Sequence, residues 1–275
     1  MLQFTIDSSR CTRCGACAAD CPAVIITMSG DLPAIAPEKE QNCYRCQHCL
    51  AVCPTGALSI CGVAPASCAP LADAFPDADR LETLIRGRRS VRRYRQENLE
   101  LSQLQRLLDV AWQAPTGKNA RQVLFTVVDD IEKIARLRAD VMEGLAKLMR
   151  DGKLPPQLEY FGGFVTLWEK KRVDVLFRGA PHLLITSTPR TVASPAQDCL
   201  IAMSYFELFA QTQGIGTVWN GLVTWALFDI LSGMRERLGI PEDHQIGYSM
   251  SFGLPAVDYA RAVQHGPAAV NRVSL

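Results

Sequence analysis

The chain has 275 residues, with 29 Lys and Arg against 28 Asp and Glu, and it carries eleven cysteines. That length points to two domains, each able to bury a core, and the near-neutral charge balance argues against a broad basic surface for nucleic acid or anionic membrane. The start, MLQFTIDSSRC, lacks the basic residues and apolar stretch of a secretory signal, and no later segment reaches the about 18 apolar residues of a membrane span. A soluble, cytoplasmic protein is expected, with neither nucleic acid nor membrane as partner. An odd number of tightly spaced cysteines without a secretion signal favours ligation over a disulfide framework.

Two cysteine runs open the chain. Cys11, Cys14, Cys17 and Cys21 precede Pro22, and Cys43, Cys46, Cys49 and Cys53 precede Pro54, so C-x2-C-x2-C-x3-C-P occurs twice, 32 residues apart. Short spacings bring three thiolates from one loop onto one face of an iron–sulfur cubane, while the fourth, just beyond on a helical turn, points to the other cluster. The expected ligand sets therefore cross: Cys11, Cys14, Cys17 and Cys53 for one 4Fe-4S cluster, Cys43, Cys46, Cys49 and Cys21 for the other. Gly15 and the small Ala16, Ala18 and Ala19 let backbone N–H groups approach the sulfurs. A zinc site is the competing reading, but zinc usually takes four ligands as separated pairs, not triplets each followed by Cys-Pro. Cys61, Cys68 and Cys199 fall outside the pattern and read as small buried apolar residues, and His48 as a surface or packing residue. The repeat implies two pseudo-symmetric halves. Residues 3–61 resemble the bacterial two-cluster ferredoxins, which implies a ferredoxin-like domain over residues 1–62.

Ten of the eleven cysteines lie before position 69, and residues 63–79, VAPASCAPLADAFPDAD, have the Ala- and Pro-rich composition of a semi-rigid linker. Residues 80–275 then form a second domain. Leu101, Leu104, Leu107, Leu108, Ala111 and Trp112 follow a helical period that Pro115 ends, and Val123 to Val128 is an apolar, β-branched run of strand type. Ile131 to Met149 is helical in period, and His182 to Thr186 is a strand. A long helix is expected from Ser194 as N-cap, with Pro195 and Gln197 in its first turn. The TVW run and QIGYSMSF supply two more strands around a helix from Leu227 to Leu238. Such a composition is α+β.

This domain opens with RGRRSVRRYR, six arginines between Arg86 and Arg95. Guanidinium groups fork onto phosphate oxygens, and a serine among them adds a hydroxyl. A solvated basic helix end or a nucleic-acid contact would fit the same run, although with Tyr94 as its one aromatic and a near-neutral chain around it the run lacks the set of stacking aromatics and the overall charge that such binding favours. Further along stand APTGKN (Ala114 to Asn119), WNG (Trp219 to Gly221) and FGLP (Phe252 to Pro255) followed by Arg261. Taken in this order over about residues 80–265, these segments resemble the FMN-dependent nitroreductase family. The resemblance implies a mixed sheet flanked by helices and a homodimer with FMN at the interface. It implies phosphate binding by Arg88, Arg89, Ser90 and Arg92, completed by Arg261, and a loop of Pro115, Thr116, Gly117 and Asn119 that reaches the partner's flavin. It also implies that the backbone at Asn220 and Gly221 faces the isoalloxazine edge. Arg121, Gln122 and Val123 stand where the family often has Gln, Pro and Trp, and Asn220 where many members have Glu.

No catalytic dyad is evident, because His182, His244 and His265 are isolated and read as structural. Tyr160, Phe161, Phe164 and Trp168 suit a helical core or dimer arm somewhat better than a pocket wall. The expected protein is an FMN-dependent oxidoreductase of nitroreductase type, fed through two 4Fe-4S clusters, whose acceptor is a nitroaromatic, quinone or flavin-like molecule and whose donor is NAD(P)H or a ferredoxin. The rival reading is an electron carrier that serves a protein partner without turning over a small molecule.

Overall fold

The computed structural model describes residues 1–28, 30 and 32–275. It divides into two compact units, Met1–Pro76 with Lys118–Ala120, and Asp77–Gly117 with Arg121–Leu275. The second unit starts inside the segment expected as linker. The carboxylate of Asp77 accepts the backbone N–H groups of Asp79 and Arg80, both at 3.1 Å, and so nucleates a helix where composition alone suggested none.

The first unit contains β1 (Thr5–Ile6), α1 (Ala16–Ala19), β2 (Ile26–Thr27), β3 (Ala34–Ile35), α2 (His48–Ala51) and β4 (Leu58–Ser59). β1 pairs antiparallel with β4, and β2 with β3. The 32-residue repeat is written in the backbone as well as in the cysteines: left-handed φ angles recur at Arg13 and Arg45, at Gly15 and Gln47, and at Val24 and Gly56. Gly15 and Gln47 are the residues before α1 and α2, so each half turns the same tight corner into one helical turn. Its core is small, with Leu2, Ile25, Ile26, Leu50, Leu58 and Ile60 packed around the buried Cys49 and the partly buried Cys17, Cys21, Cys43 and Cys53.

The second unit begins with α3 (Ala78–Gly87) and α4 (Leu101–Ala111), followed by β5 (Leu124–Val128), α5 (Ile131–Arg150), α6 (Phe161–Lys171), β6 (His182–Pro189) and α7 (Pro195–Thr212). β7 (Gly216–Trp219), α8 (Gly221–Trp225), α9 (Met234–Arg237) and β8 (His244–Gly253) complete it. The strands run antiparallel in the order β5-β6-β8-β7. A parallel bridge, Ser90 to Thr217, lays the arginine segment along the β7 edge, which makes the sheet mixed there. Helices cover both faces, so β6 is apolar at consecutive positions: Leu184 packs with Leu107, Met203 and Phe206 on the α4/α7 side, Leu183 and Ile185 with Ile134, Leu145 and Phe161 on the other. Phe161 is fully buried and stacks edge-on with Phe164, and Trp168 packs against the same cluster, so these three belong to the core while Tyr160 is exposed.

Three local differences from expectation have physical causes. Ser194 precedes α7, but its carbonyl oxygen accepts from Asp198 N–H (2.9 Å) while its hydroxyl makes no cap bond and packs against Gly117. The expected helix at 227–238 is broken: α8 starts earlier, passes into a π-helical turn at Ala226–Ile230, and stops at extended Leu231 before Gly233 turns at φ +77° into α9. A bulge interrupts the β6–β8 register after Thr186, where Gly247 is the extra residue. A Cβ there would lie 2.3 Å from the Cβ of buried Cys199, so glycine lets α7 approach the sheet.

Candidate cofactor sites

Each cysteine run wraps one side of a cavity in the first unit, and each cavity takes its fourth cysteine from the other run. One is lined by Cys11, Cys14, Cys17 and Cys53, the second by Cys43, Cys46, Cys49 and Cys21. Burial pushes the Cys49 thiol up to about 12, with the sulfurs of Cys46, Cys21 and Cys43 adding to it. Burial likewise raises Cys17, and Cys53 contributes from close by. Thiols raised in this way ionise when a positively charged iron centre takes the sulfur. Cys53 goes the other way: burial opposes its ionisation, but the Ala57 N–H (3.2 Å to Sγ) and Thr55 outweigh it. Arg45 N–H donates to Cys43 Sγ at 3.3 Å. Such N–H donors are among the groups that set a cluster's potential.

In the second unit, Arg88 and Val91 show how the arginine segment is seated. Val91 N–H donates to the Thr217 carbonyl oxygen (2.9 Å), and its side chain packs where a Cβ on Gly216 would fall. Arg88 points to the α7 side, where Nη1 donates to Glu207 Oε1 at 3.1 Å. Glu207 also accepts from Thr217 Oγ1 (3.2 Å) and Trp219 Nε1 (3.0 Å). Arg89 Nε donates to the Arg88 carbonyl oxygen (2.6 Å), and Arg92 Nη1 to that of Ser90 (3.2 Å). An open cleft of ≈ 430 Å³ borders the segment, lined among others by Gly87, Arg89, Gly216, Pro255 and Tyr259. Arg261 is exposed in the tail beyond β8.

The 114–121 loop is held from below. Gly117 N–H donates to Asp198 Oδ1 of α7 (2.9 Å), and Thr116 Oγ1 accepts from Arg121 N–H (3.0 Å). Arg121 Nη1 donates to the carbonyl oxygens of Trp112 (2.9 Å) and Ala114 (3.1 Å), and the guanidinium stacks over the Trp112 ring. Pro115 lies in the same turn and is exposed. Asn119 groups with the first unit, where Nδ2 donates to the Tyr44 carbonyl oxygen (2.9 Å).

Asn220 is buried, and its side chain is fully engaged within the protein. Oδ1 accepts from Val223 N–H (3.1 Å) as the N-cap of α8, and Nδ2 donates to the Leu176 carbonyl oxygen and Ser251 Oγ, both at 2.8 Å. Its own N–H donates to the Ser249 carbonyl oxygen (2.8 Å). The neighbouring Gly221 opens the helix, where backbone N–H groups have no intrahelical acceptor, and a Cβ there would meet Tyr248 Oη at 2.5 Å. Sequence reasoning missed Glu207, Asp198 and Arg121. The two carboxylates had a readable signal, since both fall on the stripe of α7 marked by Cys199, Ala202, Met203, Phe206 and Ala210. An acid at a buried helical position needs partners.

Helical layers around an antiparallel sheet, an arginine segment on its edge, and an added unit with paired four-cysteine cavities define an oxidoreductase built to hold redox cofactors. The chain belongs to the nitroreductase family, whose family model matches residues 85–254, and a 4Fe-4S dicluster domain matches residues 10–58. It is similar to a Methanothermobacter thermautotrophicus protein whose name pairs NADH dehydrogenase with NAD(P)H nitroreductase, 27% identical over 177 residues, 62% of this chain and 75% of that one. An iodotyrosine deiodinase of Thermotoga neapolitana is 28% identical over 138 residues, 50% of this chain and 72% of that one. The crystal structure of a nitroreductase with bound FMN from Desulfitobacterium hafniense DCB-2 superposes with a TM-score of 0.55 at 25% identity, over 70% of this chain and 98% of that one. The protein is thus an FMN-dependent oxidoreductase with a 4Fe-4S ferredoxin domain. Among the described residues no helix is long and apolar enough to cross a membrane.

Proposed function

We propose that this chain takes single electrons at its N-terminal unit, on two 4Fe-4S clusters, and delivers them from its second unit to a small organic acceptor such as a nitroaromatic, a quinone or a free flavin. The observation that carries the reading is the pair of cavities, each lined by four cysteines drawn three from one run and one from the other. Bound clusters supply one-electron transfer, and bound FMN supplies one- and two-electron chemistry.

The residues present suit both groups. Cys11, Cys14, Cys17 and Cys53 would hold one cluster, Cys43, Cys46, Cys49 and Cys21 the other. Among the described residues the Arg88 guanidinium bonds through Nη1 alone, which leaves the rest of its fork for a phosphate. Arg89, Ser90, Arg92 and Arg261 would share that anion, with Gly221 N–H near the ring edge. Asn220 would act by shaping the turn, because its side chain is spent on α8 and β8. The loop of Pro115, Thr116, Gly117 and Asn119 would meet the flavin of a second subunit. A homodimer is supported by α7, whose buried stripe is matched by exposed Leu200, Ile201 and Tyr205 on its other side, beside exposed Leu81 and Ile85 on α3. A helix apolar all round is covered all round.

The test is anaerobic mixing of the full chain with NADH, NADPH or reduced ferredoxin, following cluster and flavin bleaching separately and then adding nitroaromatic, quinone or free flavin. Turnover of any of these supports the proposal. Fast exchange with ferredoxin and no turnover of any small acceptor would leave the electron-carrier reading.

A further inference from the structure

We infer that Glu207 is the positioning residue of the flavin phosphate site: it fixes the guanidinium of Arg88 and the register of the arginine segment against β7. This rests on the reading of Arg88 as a phosphate ligand. Glu207 stands on α7, 119 residues from Arg88 in sequence, and its side chain is 9% exposed against 28% for Arg88. Its carboxylate gathers three donors from two chain segments, Arg88 Nη1, Thr217 Oγ1 and Trp219 Nε1, within 3.0 to 3.2 Å. Those segments are the ones joined by the Ser90–Thr217 bridge and by Val91 N–H to the Thr217 carbonyl oxygen. One carboxylate therefore ties the start of RRSVR to the strand that leads into WNG.

Two opposing effects decide what Glu207 does for an anion bound by Arg88. Its negative charge near the guanidinium weakens the pull on phosphate, whereas its hydrogen bond removes the rotamer freedom that an arginine otherwise loses on binding. The charge is divided among three donors, so its repulsion is partly spent, while the constraint acts on Arg88 in full. Positioning should win. Without the carboxylate, Arg88 would also be a half-buried cation without its partner and would turn toward solvent.

The reporter is discrimination between FMN and riboflavin, which lacks the phosphate. Flavin-free full-length protein with its clusters intact is equilibrated anaerobically by dialysis against each flavin. Glu207→Gln keeps the shape and loses the charge. It should lower the FMN-over-riboflavin affinity ratio by roughly ten-fold or more, the scale of one charge-assisted hydrogen bond, with riboflavin affinity and iron content nearly unchanged. Arg88→Ala should lower the ratio at least as far, and adding Glu207→Gln to it should cost nothing more. If Arg88→Ala collapses the ratio while Glu207→Gln preserves or raises it, the inference is overturned and the phosphate reading stands. If Glu207→Gln weakens both flavins equally, the residue only supports the fold and the inference is overturned. An unchanged ratio in Arg88→Ala overturns the phosphate reading itself. Where Glu207→Gln folds poorly, Glu207→Asp replaces it: a carboxylate drawn back by one methylene should lower the ratio by a smaller factor, and an unaltered ratio overturns the inference.

Discussion

Cys53 belongs by sequence to the second cysteine run and by position to the cavity of the first, and replacing it separates the two assignments. A chain with both clusters should carry about eight iron and eight labile sulfide, about four of each per cubane. Cys53→Ala removes one of four thiolates from the cavity of Cys11, Cys14 and Cys17, together with the sulfur that accepts from Ala57 N–H at 3.2 Å. Paired variants make the outcome additive in one direction only. Cys14→Ala should hold about four iron, and Cys14→Ala with Cys53→Ala still about four, because both strike one cubane. Cys46→Ala with Cys53→Ala should hold close to none. Iron and sulfide analysis of anaerobically purified protein reads these values, and EPR of the reduced protein shows whether a lone cluster survives or has become a three-iron form. The reverse pattern, with the Cys14/Cys53 pair stripped of iron and the Cys46/Cys53 pair keeping four, would refute the crossing.

Arg88→Ala should weaken FMN binding by about ten-fold to a hundred-fold, since charge-assisted bonds contribute about 1.5 to 3 kcal/mol, whereas Arg95→Ala should not, because Arg95 only faces exposed Glu97 at 3.8 Å; flavin titration of both variants is the check. Gly247→Ala should destabilise the second unit by about 1–3 kcal/mol, because the new methyl would meet Cys199 Cβ at 2.3 Å and Thr186 Oγ1 at 2.7 Å; denaturant unfolding followed by the fluorescence of Trp112, Trp168, Trp219 and Trp225 reads it. Burial holds His182 down at about 4, with Nε2 accepting Leu99 N–H at 3.1 Å. An unfolded histidine titrates near 6.5, so above that pH neither state is protonated and the contribution is flat. Between pH 6.5 and about 4 only the unfolded chain takes the proton, and stability should fall by about 3 kcal/mol in all. His182→Gln should lose that slope in the same fluorescence assay.

The cysteine cavities were legible because ligation by closely spaced residues is local, and the motif carries even the crossing. Most strands and helices were legible from periodicity for the same reason. Asp77 was hidden in a Pro- and Ala-rich stretch where only its capping bonds show that a helix begins. The break after α8 depends on Gly233 adopting a left-handed φ that a helical apolar period does not report. Asn220 could be placed at the turn, but its bonds to Leu176 and Ser251 join segments 44 and 31 residues away. Glu207 was hardest to read, since its partners become neighbours only once α7 lies on the sheet.

The 32-residue echo of left-handed corners at Arg13, Gly15 and Val24 with Arg45, Gln47 and Gly56 bears on how such a unit can arise and how it can fail. Each half owns three thiolates of one cavity and lends its fourth to the other, so neither half alone has a complete set. Two copies of a single half, related by a two-fold axis, would present the same pair of four-thiolate cavities without any fusion. Joining the copies into one chain would remove the concentration dependence of such a dimer and free the halves to differ, as Gln47 opposite Gly15 does here. The cost is interdependence. Truncation anywhere between the two runs leaves three cysteines on one cavity and orphans the lent one, so damage to either half reaches both cavities at once.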